Sequence, residues 1–155
     1  MKGMTVIVKT ISSWVKMLIF LFGIYIVLFG HLTPGGGFAG GVILASSYIL
    51  LMLAYGRNFA EENLPLPVAS NLDCIAALMF AAIALLGLFY GAASFFWNFI
   101  HQQYHLGEPL KLFSAGTIPL SNIAIGLKVA TSLFLVILVL SVFRPDISSQ
   151  KEKSR

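Results

Sequence analysis

Four stretches of this chain, 14–30, 38–55, 73–96 and 120–143, are apolar almost throughout. Each approaches or slightly exceeds the roughly 20 residues an α-helix needs to cross a hydrocarbon core. No water is available there to satisfy backbone amides, so a spanning segment must pair them internally, as a helix does. The expected fold is therefore all-α: an integral membrane bundle of about four transmembrane helices. Spans and short connections consume nearly all of residues 1–155, which reads as a single membrane domain. The composition agrees, with 58% hydrophobic and 10% charged residues among 155.

The connections carry recognisable breakers. Pro34 and the triplet Gly35-Gly36-Gly37 end the first run, because proline has no amide donor and glycine tolerates positive φ. The first run follows Lys2, Lys9 and Lys16 as a signal peptide would, but its end shows no small-residue cleavage site, so it reads as a retained helix. Gly56 and Arg57 suit the C-terminal end of the second run. Residues 57–71, with Glu61, Glu62, Pro65 and Pro67, read as a polar loop, and Asp73 as the residue that caps or begins the third helix. Residues 101–119 read as a second loop with a short turn near 110–115. The tail 147–155 reads as disordered.

Four spans place both termini on one side. Lys2, Lys9, Lys16, Arg57, Arg144, Lys151, Lys153 and Arg155 fall on that side and Lys111 opposite, so the positive-inside rule assigns both termini to the cytoplasm of a cell-membrane protein. The net charge of +4 is gathered at the ends and not on an aromatic-studded surface, which argues against a nucleic-acid partner. The single cysteine, Cys74, excludes an intramolecular disulfide and any multi-cysteine cluster, and its neighbours suggest a small buried packing residue. No cofactor, metal site or catalytic pair is visible.

Lys128 is the most informative residue. An amine inside a membrane helix is expensive unless paired or hydrated, and such residues mark function by default. Helical spacing puts Ser121, Ala124, Lys128 and Thr131 on one face. The competing reading is that Lys128 snorkels to the nearer interface. Asp73 and Glu108 fall near span ends, so the sequence offers no mid-membrane acid to match this amine. A complete cation pathway usually needs one, which makes the chain a poor candidate for a transporter acting alone.

The run Gly35 to Gly41 lacks the strand and the Gly-Lys-Ser/Thr of a phosphate loop. Gly37 with Gly41, and Gly36 with Gly40, are small-xxx-small pairs that offer a smooth packing face, and Gly87 with Gly91 repeat the device on the third helix. His31 precedes the glycine turn. His101 and His105 are spaced for a shared helical face, but without a third ligand they read as interfacial hydrogen-bonding groups.

The segment Gly30-His31-Leu32-Thr33-Pro34-Gly35-Gly36-Gly37-Phe38-Ala39-Gly40-Gly41 resembles the signature of the B subunit (MnhB/MrpB) of Mrp-type multisubunit Na+/H+ antiporters. Ile118-Pro119-Leu120-Ser121-Asn122-Ile123-Ala124-Ile125-Gly126-Leu127-Lys128-Val129 is similar to that family's final-helix motif, in the same order. The resemblance implies a small non-catalytic subunit beside other membrane subunits, in an assembly that exchanges Na+ and H+. It extends to the Mrp-like modules of archaeal membrane-bound hydrogenase and sulfane sulfur reductase complexes. It marks Pro34 to Gly41 and Asn122 to Lys128, Gly126 among them, as motif positions. The residues themselves put forward Lys128, His31, Thr131 and Ser121 as ion-pathway candidates. A purely structural subunit and an independent homo-oligomeric transporter are the alternatives.

Overall fold

The computed structural model describes residues 4–89, 94–98, 100 and 115–141, and among these every regular element is helical. Four long helices, α1 (Val6–Leu28), α2 (Gly36–Tyr55), α4 (Leu66–Phe89) and α5 (Ile118–Leu140), are long and apolar enough to cross a membrane. A short helix, α3 (Arg57–Asn63), lies between α2 and α4.

The boundaries differ from the sequence expectation in instructive ways. α1 begins at Val6 and not at Trp14. Lys9, Ser12, Ser13 and Lys16 make this stretch look like a flank, but none of them breaks a helix. Their polar groups are accommodated instead: the Thr10 hydroxyl donates to the Val6 carbonyl at 3.0 Å, and the amines of Lys9 and Lys16 lie over the rings of Tyr55 and Tyr48. α4 begins at Leu66, so Asp73 neither caps nor starts it. Pro67 looks like a breaker in the sequence, yet it stands in the first turn, where a helix has no use for its missing amide. Much of the expected 57–71 loop is thus α3 and the opening turns of α4.

At the other end, α4 stops at Phe89, and residues 94–96 form a turn. The chain has doubled back by Phe96, whose ring centroid lies 5.1 Å from that of Phe80. A helix continuing to residue 96 would hold those rings about 24 Å apart. The expected features at 101–114, with His101, His105 and Glu108, and the tail 147–155 lie outside the described residues, as does Gly91.

The helices are arranged in the order α1, α2, α5, α4. α1 runs antiparallel to α2, pairing Val27 with Gly40, Gly23 with Leu44, Lys16 with Tyr48 and Lys9 with Tyr55. α2 and α5 run parallel, with Gly37 on Asn122, Gly41 on Gly126 and Tyr48 on Phe134. α4 packs on α5. At the end of the bundle where α1 begins and α5 finishes, Met52, Ala60, Ala69, Phe134 and Leu138 form a small core joining α2, α3, α4 and α5.

Little of the apolar surface is enclosed. α4 buries only Ala69, Ala76 and Gly87, and α1 only Ser12, Gly23 and Val27. Cys74 is exposed and not a buried packing residue, because α4 touches its neighbours along a single stripe and residue 74 lies off it. A water-soluble protein would hide such surface. Lipid or partner helices can cover it without penalty.

Candidate functional site

Two junctions on α5 account for the residues singled out in the sequence. The first is the crossing of α1, α2 and α5 beside the turn at 29–35. Gly35 adopts φ +102° and Gly36 φ +56°, a left-handed entry into α2 that L side chains rarely adopt. Pro34 is exposed just before them.

Beyond the turn the helices meet backbone to backbone. A Cβ on Gly37 would fall 2.3 Å from the Asn122 carbonyl oxygen, and one on Gly41 would fall 2.6 Å from that of Gly126. Gly40 and Gly126 both close on Val27 of α1, at 2.6 and 2.7 Å from a Cβ to its methyl. The small-xxx-small expectation for α2 therefore has a geometric basis. Asn122 is buried at the centre, and its Oδ1 accepts the Gly37 amide at 3.4 Å. One side chain thus supplies an acceptor for an amide at the start of α2, where helices leave their donors unpaired. Gly87 acts differently from the expectation: it admits the backbone of the returning segment at Phe96 and Trp97, not a neighbouring helix. His31 sits half-buried in the turn.

The second junction is the seam between α4 and α5. Lys128 stands at the middle of α5, ten residues from its start and twelve from its end. Its ammonium is paired with the Asp73 carboxylate. This corrects the sequence reading that the amine has no intramembrane acid. Asp73 looked like a span-end residue only because α4 was placed seven residues too late; it lies about two turns inside the helix. The signal was available in the sequence, since Ala69, Asp73 and Ala76 share one helical face.

The carboxylate is held on both oxygens. Oδ2 accepts from Lys128, and Oδ1 accepts from the Ser132 hydroxyl, with the Thr131 hydroxyl 3.3 Å away. Thr131 has one proton to give and also lies 2.9 Å from the Leu127 carbonyl, so Ser132 is the more committed donor. Ser132 was not singled out in the sequence. Ser121, which was, points elsewhere: its hydroxyl donates to the Thr117 carbonyl at 3.2 Å, apart from the ion pair.

The two partners differ in exposure. Asp73's side chain is 20% accessible and Lys128's 42%. The acid is largely closed in by its own chain, whereas two-fifths of the Lys128 side chain stays uncovered at the α4–α5 seam, and its ammonium has three protons to donate. No group of three or more metal-ligating side chains occurs among the described residues.

Comparison with known proteins places this geometry. Residues 7–135 match the family model described as a domain related to the MnhB subunit of Na+/H+ antiporters. An uncharacterized protein of Methanocaldococcus jannaschii is 35% identical over 96% of this chain and 58% of its own length. A Staphylococcus haemolyticus protein provisionally named antiporter subunit mnhB2 is 32% identical over 91% of this chain and 97% of its own length. Among solved structures, a chain of the membrane-bound sulfane sulfur reductase, an archaeal respiratory membrane complex, superposes with a TM-score of 0.68 at 28% identity, over 94% of this chain and 62% of that one. This chain thus spans somewhat under two thirds of the archaeal proteins it matches and nearly all of the bacterial one. With its glycine crossing, its four spans and a family match that covers most of its length, the chain belongs to the MnhB-related family of antiporter-subunit domains.

Proposed function

We propose that this protein is a non-catalytic membrane subunit of a multisubunit Na+/H+ antiporter, or of an Mrp-like ion-translocating module in a respiratory complex. In this reading the Asp73–Lys128 pair shapes the electrostatics of the ion route. The observation that carries it is the open side of that pair, an amine at the middle of a membrane helix with much of its side chain uncovered by its own chain. Lipid is a poor neighbour for such a group. A partner subunit or a water-lined path supplies what lipid cannot. The names of the relatives support the choice of antiporter and respiratory assemblies.

Because the carboxylate neutralises the amine, the pair as a whole carries no net charge. A cation approaching Asp73 or a proton delivered to it changes that balance, so the pair can respond to either ion. Both chain termini and α3 belong on the cytoplasmic side in this reading, following the distribution of lysine and arginine.

The test is Lys128→Ala in the complete assembly, with Na+-dependent proton exchange measured in everted vesicles and subunit content measured in the same membranes. Loss of exchange with assembly intact is the expected result. Unchanged exchange removes the pair from the mechanism and leaves the purely structural subunit. Exchange by the purified chain alone in liposomes overturns the subunit reading in favour of an independent transporter.

A further inference from the structure

Lys9 and Lys16 stand seven residues apart on α1, and Tyr55 and Tyr48 seven residues apart on the antiparallel α2. Each amine lies over the ring it faces, at 5.6 Å for Lys9 on Tyr55 and 5.2 Å for Lys16 on Tyr48. The two rungs look alike but differ in depth. Tyr55 is the last residue of α2, and the Tyr55 hydroxyl donates to the Lys9 carbonyl there, so the outer rung lies at the end of the bundle. Tyr48 is about 10 Å further in along the helix axis. Lys16 is ten residues into α1, with twelve more beyond it.

The inner amine is held at that depth. A lysine stem reaches about one helical turn, and here it is spent crossing to α2. Tyr48 is itself fixed, edge-on to Phe20 and to Phe134, with centroids 6.1 and 5.9 Å away. A cation over an aromatic face gains on the order of 1 kcal/mol, well short of what an unpaired ammonium loses on leaving water. The ion pairs seen among the described residues are Arg57–Glu61 and Asp73–Lys128, and neither reaches Lys16. Among the described residues, one intramembrane lysine is therefore neutralised and the other is not.

We propose that Lys16 is an inter-subunit contact, paired with a carboxylate carried by a membrane-spanning helix of a neighbouring, different subunit packed along α1. Charge complementarity selects this occupant: an acidic side chain at the depth of Tyr48 supplies the counter-charge that α1, α2 and lipid lack. The edge of α1 that can receive it is the one where Ser13 and Met17 are exposed beside Lys16; the wider apolar stripe of Ile11, Trp14, Leu18 and Tyr25 lies on the far face of the helix. The proposal rests on the reading of the chain as a subunit, and it adds a second, separately testable contact.

The experiment is carbodiimide cross-linking of the intact complex with a membrane-permeant reagent that joins an amine to a carboxylate in contact with it, followed by mass spectrometry. The Asp73–Lys128 link is the internal standard for reagent access. The expected result is a peptide joining Lys16 to an aspartate or glutamate of another subunit, absent from the Lys16→Gln complex. The standard link without any Lys16 link overturns the proposal. So does a Lys16 link to a second copy of this chain, or acylation of Lys16 in sealed vesicles by a membrane-impermeant amine reagent, which would show the amine in water. Recovery of the chain with no other subunit defeats the subunit reading itself, a failure visible before cross-linking begins.

Discussion

At the crossing of α1, α2 and α5 the helices touch through their backbones, with Gly37, Gly40, Gly41 and Gly126 leaving no space for a side chain. Further along α5, the α4 contact is made by side chains instead: an ion pair, two hydroxyls and a lysine side chain left partly uncovered. The first junction is closed by backbone contact, with the Asn122 Nδ2 buried there and no acceptor for it among the described residues. The second is satisfied on the acid and unfinished on the base. In a membrane, where burial of apolar surface gives helices no advantage over lipid, backbone contact is the means of fixing a fold. A polar seam is a means of leaving one face ready for an ion, water or another subunit.

The largest effect expected from this contrast is at the crossing. Gly41→Leu drives a side chain into the Gly126 carbonyl and Val129, neither of which can retreat without moving α5. Overpacking of this kind costs about 3 kcal/mol or more when backbone must shift. The expected outcome is loss of the subunit from membranes, read by immunoblot, with ion exchange lost in proportion. A normal level of the variant in an assembled but inactive complex would show that the crossing is functional in its own right and break the division drawn here.

The seam should behave in the opposite way. Asp73→Asn leaves Lys128 without its counter-charge, and removing one partner of a buried pair costs about 3–5 kcal/mol; the outward access of Lys128 places this pair below that range. The double variant Asp73→Asn with Lys128→Met removes both charges and should restore the thermal stability of the assembly while exchange stays absent. If the double variant is no more stable than the single one, the pair is not the interaction that matters at this seam.

Asn122→Ala tests the one polar group inside the glycine crossing. It withdraws the acceptor from the Gly37 amide, a loss of about 1–3 kcal/mol if the amide stays buried and unmet. The expected signature is a lower melting temperature of the complex with exchange per assembled complex unchanged. Reduced exchange at full stability would move Asn122 from the packing group to the ion route.

The difference between the junctions also explains what could be read from residues alone. Helix number and character follow from length and apolarity, and the glycine spacing on α2 announces close packing before any partner is known. The α4 boundary is hidden in the sequence because Pro65, Pro67 and Asp73 look like loop and cap residues one by one, although a proline in a first turn is compatible with a helix. That seven-residue error concealed the ion pair, since it moved the matching acid to a span end. The Phe80–Phe96 reversal was hidden for a related reason: apolarity continues through residues 84–96, and hydropathy cannot show where a run turns back. Ser132 is legible by the same spacing: it lies four residues after Lys128, as Thr131 lies three after it, so both hydroxyls fall on the face that carries the amine.

The finest test lies between the two hydroxyls that share Oδ1 of Asp73. Thr131 has the Leu127 and Lys128 carbonyls within 2.9 and 3.1 Å as alternatives, so Thr131→Val, which preserves shape, leaves the carboxylate with Lys128 and Ser132 in place. Ser132→Ala removes the closer donor. A hydrogen bond to a charged group contributes about 1.5–3 kcal/mol, so loss of a committed donor weakens the seam. The melting temperature of the complex should therefore fall in Ser132→Ala and stay near the parent value in Thr131→Val, with the amount of assembled subunit measured in both. An equal shift in the two variants would mean that the Thr131 proton is committed to Asp73 and not to its own helix. No shift in either would mean that neither hydroxyl holds the carboxylate, and Lys128 alone would then fix Asp73 at the seam.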